Sequence, residues 1–172
     1  RIIKLAYDVL DKQIADDIKD SYDDRVFVHA RDDMIATQVL KIIDRLIQKG
    51  YDYKEDVQIL VPMYKGMNGI DRINDLVQET YNGDNKDLSI SFGNKNFYFQ
   101  DKVMQLVNQL DKRVMNGDQG IVVGIEDGKE MVVDFSGALV KYNKKELDQL
   151  TLAYCTSIHK SQGSEYKVVI LP

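Results

Sequence analysis

Residues 57–81 read V-Q-I-L-V-P-M-Y-K-G-M-N-G-I-D-R-I-N-D-L-V-Q-E-T-Y, and the way this stretch folds decides the class of the whole chain. The apolar run Val57 to Pro62 predicts a buried strand. The loop at 63–69 comes next, and Ile70, Ile73, Leu76, Val77 and Tyr81 then recur at the spacing of one inward helix face. Asn68 and Gly69 are expected to start that helix rather than to touch a ligand.

Upstream, Ile35, Val39, Ile42, Ile43, Leu46 and Ile47 form the clearest helical stripe in the chain, with Asp32 or Asp33 as its expected cap and Gly50 as its end. Val26, Phe27 and Val28 are expected to form a short buried strand. Ile3, Ala6, Tyr7, Leu10 and Ile14 have helical spacing ahead of an acid-rich loop. Strand, helix, strand, loop, helix is the order of a parallel α/β sheet. In such sheets ligands gather at the carboxyl ends of strands, which singles out the loop at 63–69 and the segment at 156–165.

Downstream the pattern changes. Asn82-Gly83, Asn116-Gly117, Asp127-Gly128 and Ser136-Gly137 are turn dipeptides, the last three separating β-rich runs near 102–110, 120–126, 130–135 and 138–142. These runs predict a small antiparallel barrel or meander inserted in the α/β domain, with Val103, Met104, Leu106, Ile121, Val123 and Val133 as its core. Lys112 and Arg113 flank one turn and are either solvated or near a phosphate.

Residues 151–172, T-L-A-Y-C-T-S-I-H-K-S-Q-G-S-E-Y-K-V-V-I-L-P, return to apolar runs, 152–158 and 168–171, around a polar tip. A strand that delivers hydroxyls, an imidazole, an ammonium and a glycine turn to its tip suits phosphates or a nucleic-acid backbone, because such ligands need many donors.

The 172 residues are 44% hydrophobic, enough for a packed core, and no run approaches the length of a membrane span or resembles a signal peptide, so a cytoplasmic location is expected. The one cysteine, Cys155, excludes a disulfide framework and reads as a strand core residue. A net charge of −5 argues against coating duplex DNA by bulk electrostatics, since phosphate neutralisation needs clustered Lys and Arg. The pairs Asp16-Asp17 and Asp32-Asp33 lack a matching His or Cys set and read as solubilising or capping acids rather than metal ligands. Opening on Arg1 and closing on V-V-I-L-P, the chain is expected to be part of a longer protein.

The segment T-S-I-H-K-S-Q-G-S-E-Y (156–166) resembles motif V of superfamily 1 helicases, and its H-K-S-Q-G-S-E form resembles the RecD-like, 5′-to-3′ branch. V-Q-I-L-V-P-M-Y-K-G-M-N-G-I (57–70), D-K-V-M-Q-L-V-N (101–108) and N-G-D-Q-G (116–120) agree in kind and in order. One departure is Gln100, where the family commonly has glycine. The resemblance implies a RecA-like second motor domain over 1–90 plus 150–172, partial and without a phosphate loop, and an SH3-like β-barrel insert over 91–149.

It further implies single-stranded DNA binding by Thr156, His159, Lys160, Tyr64 and Lys65, and a nucleotide-cleft role for Gln162, Gly163 and Glu165. Thr156 and His159 are suited to donate to phosphates. Tyr64 offers a ring for base stacking or anchors its loop; Glu165 faces a ribose hydroxyl, organises the cleft, or is a turn acid. ATP and Mg²⁺ are implied for the intact enzyme. No G-x-x-x-x-G-K-[ST] occurs in the sequence, so the N-terminal RecA-like domain of the same protein is the implied partner for hydrolysis, with no catalytic residue in this stretch and no ATPase or unwinding expected from it alone. The alternatives are a RecD subunit of an exodeoxyribonuclease V type complex, an RNA helicase of the same superfamily, or a module that binds a protein partner through the β insert.

Overall fold

A computed structural model describes residues 2–13 and 17–172, so Ile14 and Asp16 lie outside the described residues. The chain divides into two units, Arg1–Met34 and Ile35–Pro172. The first contains α1 (Ile2–Leu10), as the apolar spacing predicts, and a turn in which the Tyr22 hydroxyl donates to Asp17 (3.0 Å) and Arg25 pairs with the same carboxylate (3.6 Å). Asp32 and Asp33 lie in a 3-10 turn, Asp32–Met34, that precedes the next helix in sequence. Val26, Phe27 and Val28 correct the expectation of a buried strand: they form no strand and are exposed. Flanked by Y-D-D-R and H-A-R-D-D, the three apolar residues have, among the described residues of their unit, only the Tyr22–Arg25 bridge beside them, too little to build a ladder.

The second unit is mixed α/β. α2 (Ile35–Gln48) buries Val39 and Ile43, and its remaining apolar residues are half-buried or, like Ile47, exposed. β1 (Val57–Val61) is buried at every position, as befits the central strand of a parallel sheet. α3 (Ile70–Tyr81) packs Ile70, Ile73 and Val77 against it and also buries Asn74 and Gln78. β9 (Cys155–Ser157) and β10 (Val168–Ile170) complete a three-stranded sheet in the order β10-β1-β9. Cys155 is core, and burial pushes its thiol up to about 12. The helix, strand, loop, helix order is as the sequence predicts.

The intervening chain is antiparallel. A hairpin of β2 (Ser89–Phe92) and β3 (Lys95–Tyr98), absent from the sequence reading, precedes a five-stranded sheet. Its strands are β4 (Lys102–Gln105), β5 (Gln119–Glu126), β6 (Glu130–Phe135), β7 (Ala138–Asn143) and β8 (Leu150–Leu152), in the order β7-β6-β5-β4-β8. Asp127-Gly128 and Ser136-Gly137 make the tight hairpin turns, both residues of each at positive φ.

Four details differ from expectation. The run at 102–110 is a strand only to Gln105, because the chain then bends away through a 3-10 turn, Leu110–Lys112, and the Asn116-Gly117 turn before β5 begins. Val123 faces out while Val122 is fully buried; a register shift between Val122 and Gly124 decides which of the two adjacent valines points inward. Leu106 and Ile121 are only partly buried. The apolar run at 152–158 is two strands, not one: β8 pairs with β4 in the antiparallel sheet and β9 with β1 in the parallel sheet, and the chain crosses at Ala153 and Tyr154. Among the described residues no helix is long and apolar enough to cross a membrane.

Candidate nucleic-acid interface

β1 and β9 are parallel neighbours with Leu60 opposite Thr156 and Val61 opposite Ser157. Both chains therefore leave the sheet at one edge, β1 into the loop at 63–69 and β9 into a 3-10 turn, His159–Ser161. Two segments nearly a hundred residues apart in sequence are brought together by one line of backbone pairing.

Within this edge Tyr64, Lys65, His159, Gln162, Gly163 and Glu165 are exposed and Lys160 is half-buried. Thr156 is buried, 4% exposed, and its hydroxyl accepts from Gln58 Nε2 at 3.4 Å. The polar tip is held by its own backbone: Lys160 N–H donates to Ser157 Oγ (3.3 Å), Ser161 Oγ to the Ile158 carbonyl (2.8 Å), and Ser164 N–H to the Ser161 carbonyl (3.0 Å). Gly163 has φ +83°, a conformation L side chains rarely adopt.

The first loop is closed more tightly. Ile70 N–H donates to the Met63 carbonyl (3.0 Å) and Gly69 N–H to the Gly66 carbonyl (3.1 Å), so Gly69 sits directly beneath the Tyr64 and Lys65 backbone as the cap of α3. A Cβ there would lie 2.6 Å from the Tyr64 carbonyl oxygen. Asn68 and Gly69 thus lead into the helix, as expected.

A third segment joins the edge from the antiparallel sheet. Lys160 Nζ donates to Asn116 Oδ1 at 3.4 Å, and Asn116 N–H donates to Asn108 Oδ1 at 2.9 Å. Lys112 is engaged elsewhere, paired with Glu146 at 2.8 Å and lying over the Tyr142 ring. Its carboxylate partner is held below the usual range, chiefly by that hydrogen bond.

Behind the edge lies a buried polar cluster that sequence reasoning missed. Gln58 is wholly buried; its Oε1 accepts from Lys102 Nζ (3.1 Å) and Gln119 Nε2 (3.2 Å), while its Nε2 reaches the Ala153 and Tyr154 carbonyls (3.2 Å each) as well as Thr156. Gln119 Nε2 also donates to the Tyr166 hydroxyl (3.2 Å), and Lys102 Nζ to the Val57 carbonyl (3.3 Å). Burial pushes Lys102 down to about 8. Asn74 clamps the β9 backbone, donating to the Cys155 carbonyl and accepting from its N–H at 2.8 Å each. The available signal was a polar residue inside an apolar run, Gln58 in V-Q-I-L-V, and a lysine opening a buried strand. Among the described residues no three His, Cys, Asp or Glu side chains converge as a metal ion would require.

A family model described as the ATP-dependent RecD-like DNA helicase SH3 domain matches residues 73–135, from within α3 to the end of β6. The chain is 35% identical over 114 residues to the ATP-dependent RecD2 DNA helicase of Deinococcus radiodurans; that alignment covers 66% of this chain and 16% of the relative, so the chain spans a small part of the relative's length. Among solved structures, unliganded Pif1 from Bacteroides sp is similar over 72% of this chain and 48% of its own, at 21% identity and a TM-score of 0.44. A Bacteroides Pif1 bound to ssDNA is similar over 86% of this chain and 44% of its own, at 16% identity and a TM-score of 0.43.

Proposed function

We propose that this chain, a RecD-like superfamily 1 helicase sequence carrying the SH3 domain of that family, is part of a second, RecA-like motor domain in an ATP-dependent 5′-to-3′ DNA helicase. On this reading residues 1–90 plus 150–172 belong to the motor domain and 91–149 form its SH3-like barrel insert. The observation that carries the proposal is the β1–β9 pairing, Val61 opposite Ser157, which sets the loop at 63–69 beside the motif V tip at one sheet edge.

Single-stranded DNA would run along that edge. His159 and Lys65 are exposed and offer donors and charge to phosphates; Tyr64 offers a face to a base; Lys160, braced by Asn116, adds a second cation. Thr156 accepts from Gln58, which leaves its own O–H hydrogen to be given to a phosphate.

Gln162, Gly163 and Glu165 are exposed on one short segment with a backbone turn at positive φ, a donor and acceptor set that fits one wall of a nucleotide cleft. ATP with Mg²⁺ would supply the free energy of hydrolysis there, held mainly by the other motor domain of the full-length protein. What this chain's residues do is grip the strand and move with the wall.

The test is Thr156→Ala with His159→Ala in the full-length protein. Loss of unwinding and of strand-stimulated ATPase is expected; wild-type levels of both overturn the assignment.

A further inference from the structure

Between the two sheets, Gln58 stands where its two ends are told apart. A carboxamide carries one acceptor oxygen and one donor nitrogen, and a flip about its terminal bond exchanges them. Here the oxygen end meets two donors from the antiparallel sheet, Lys102 Nζ at 3.1 Å from β4 and Gln119 Nε2 at 3.2 Å from β5. The nitrogen end meets acceptors only: the Ile59, Ala153 and Tyr154 carbonyls and the hydroxyl of Thr156. A flipped amide would set its NH₂ against an ammonium and against another NH₂, leaving buried donors unsatisfied.

Lys102 has few other uses. It is 4% exposed, with no carboxylate of the described residues in contact; its ammonium donates to Gln58 and the Val57 carbonyl and lies 5.7 Å from the centre of the Tyr166 ring. A buried cation without an ion-pair partner is costly to keep. Its geometry gives that cation a task outside its own strand.

We propose that Lys102 is a positioning residue for Thr156: by holding the oxygen end of Gln58 it turns the amide nitrogen onto Thr156, so that the threonine hydroxyl accepts inward and gives its hydrogen outward to a phosphate of the single strand. The inference rests on the DNA-binding reading of the sheet edge. It adds that the antiparallel sheet sets the donor direction at motif V through two residues, Lys102 and Gln119, that never touch the strand.

The test is a double-mutant cycle in the full-length protein, read as Kd for a fluorescein-labelled oligo(dT) strand at one salt concentration. Thr156→Val is expected to weaken binding about tenfold, the value of one lost hydrogen bond to a charged group. Lys102→Met is expected to weaken it about three- to tenfold in the wild-type background and not at all in the Thr156→Val background. Gln119→Met, at a less buried position, is expected to give a smaller loss of the same non-additive kind, and serves if Lys102→Met does not fold. Equal losses in both backgrounds mean that Lys102 acts by general stability, and this overturns the proposal, as does an unchanged Kd in Lys102→Met. An unchanged Kd in Thr156→Val overturns the assignment of Thr156 itself, and with it the positioning role.

Discussion

The Tyr154 hydroxyl donates to Asp101 Oδ1 at 2.8 Å, both residues buried and 53 positions apart. Tyr154 lies where the chain crosses from β8 to β9, and Asp101 immediately before β4. The same carboxylate accepts from Tyr98 N–H (2.7 Å), Gln78 Nε2 (2.6 Å) and Asn82 Nδ2 (2.7 Å), so one acid joins α3, the β2–β3 hairpin and the crossing between sheets. Burial raises its pKa and these four hydrogen bonds oppose the rise.

Tyr154→Phe removes one of the four donors and little volume. The expected loss is about 1.5–3 kcal/mol, the range for a hydrogen bond to a charged group. Asp101→Asn is expected to cost more, because an NH₂ then faces a cluster of donors. Urea unfolding of the two variants checks the order; equal stability of Asp101→Asn and wild type refutes the role of the carboxylate.

Lys102 makes stability depend on pH in a defined direction. Its folded pKa, about 8, lies below the ordinary 10.5, so between these values the unfolded chain binds more protons than the folded one. Stability from this group therefore rises from pH 8 to 10.5 and is lost as pH falls through about 8, a change on the order of 3 kcal/mol. Lys102→Met should flatten that part of the curve. Parallel stability curves for variant and wild type between pH 7.5 and 10 would contradict it.

Gln100 takes φ +68°, a left-handed backbone conformation that residues with a Cβ rarely adopt. Left-handed backbone at a non-glycine residue costs about 1–3 kcal/mol. Gln100 recovers part of this through its side chain, which accepts from Lys54 Nζ at 2.9 Å. Gln100→Gly is expected to fall within about 1 kcal/mol of wild type on the stable side, and Gln100→Val to lose about 2 kcal/mol, since a β-branched side chain fits that φ worst. Thermal midpoints should rank Gly, Gln, Val; a stable valine variant would show the turn to be free to change.

The order of elements was legible wherever one period ran long enough: V-Q-I-L-V and the stripe of α3 declare themselves, and turn dipeptides mark the hairpins. Short runs misled, because burial at Val26 to Val28 depends on a pairing partner that no local pattern reports. Val122 and Val123 are indistinguishable in sequence until a register shift chooses between them. At the candidate site, the placing of the polar tip at 156–165 and the loop at 63–69 at one sheet edge was readable, but the links behind them were not. Gln58 meets Lys102 across 44 residues and Gln119 across 61, distances over which sequence spacing carries no geometric information.

Two glycines at the sheet edge should fail in different ways. Gly69 has an ordinary φ of −78°, so a substitution there is opposed by space alone: its Cβ would lie 2.6 Å from the Tyr64 carbonyl oxygen and 2.7 Å from the Lys65 carbonyl carbon, both backbone atoms that cannot swing aside. Gly163 has open space around its Cβ but a φ of +83°. Gly69→Ala must therefore lift the loop that carries Tyr64 and Lys65, at a cost of about 1–3 kcal/mol for overpacking. Gly163→Ala should cost about 1 kcal/mol of backbone strain with the first loop undisturbed. If the loop at 63–69 grips DNA, oligo(dT) affinity of the full-length protein drops in Gly69→Ala beyond what a stability-matched core variant such as Ile73→Val shows. Gly69→Ala binding as tightly as that control would remove the first loop from the interface while leaving the motif V tip in place.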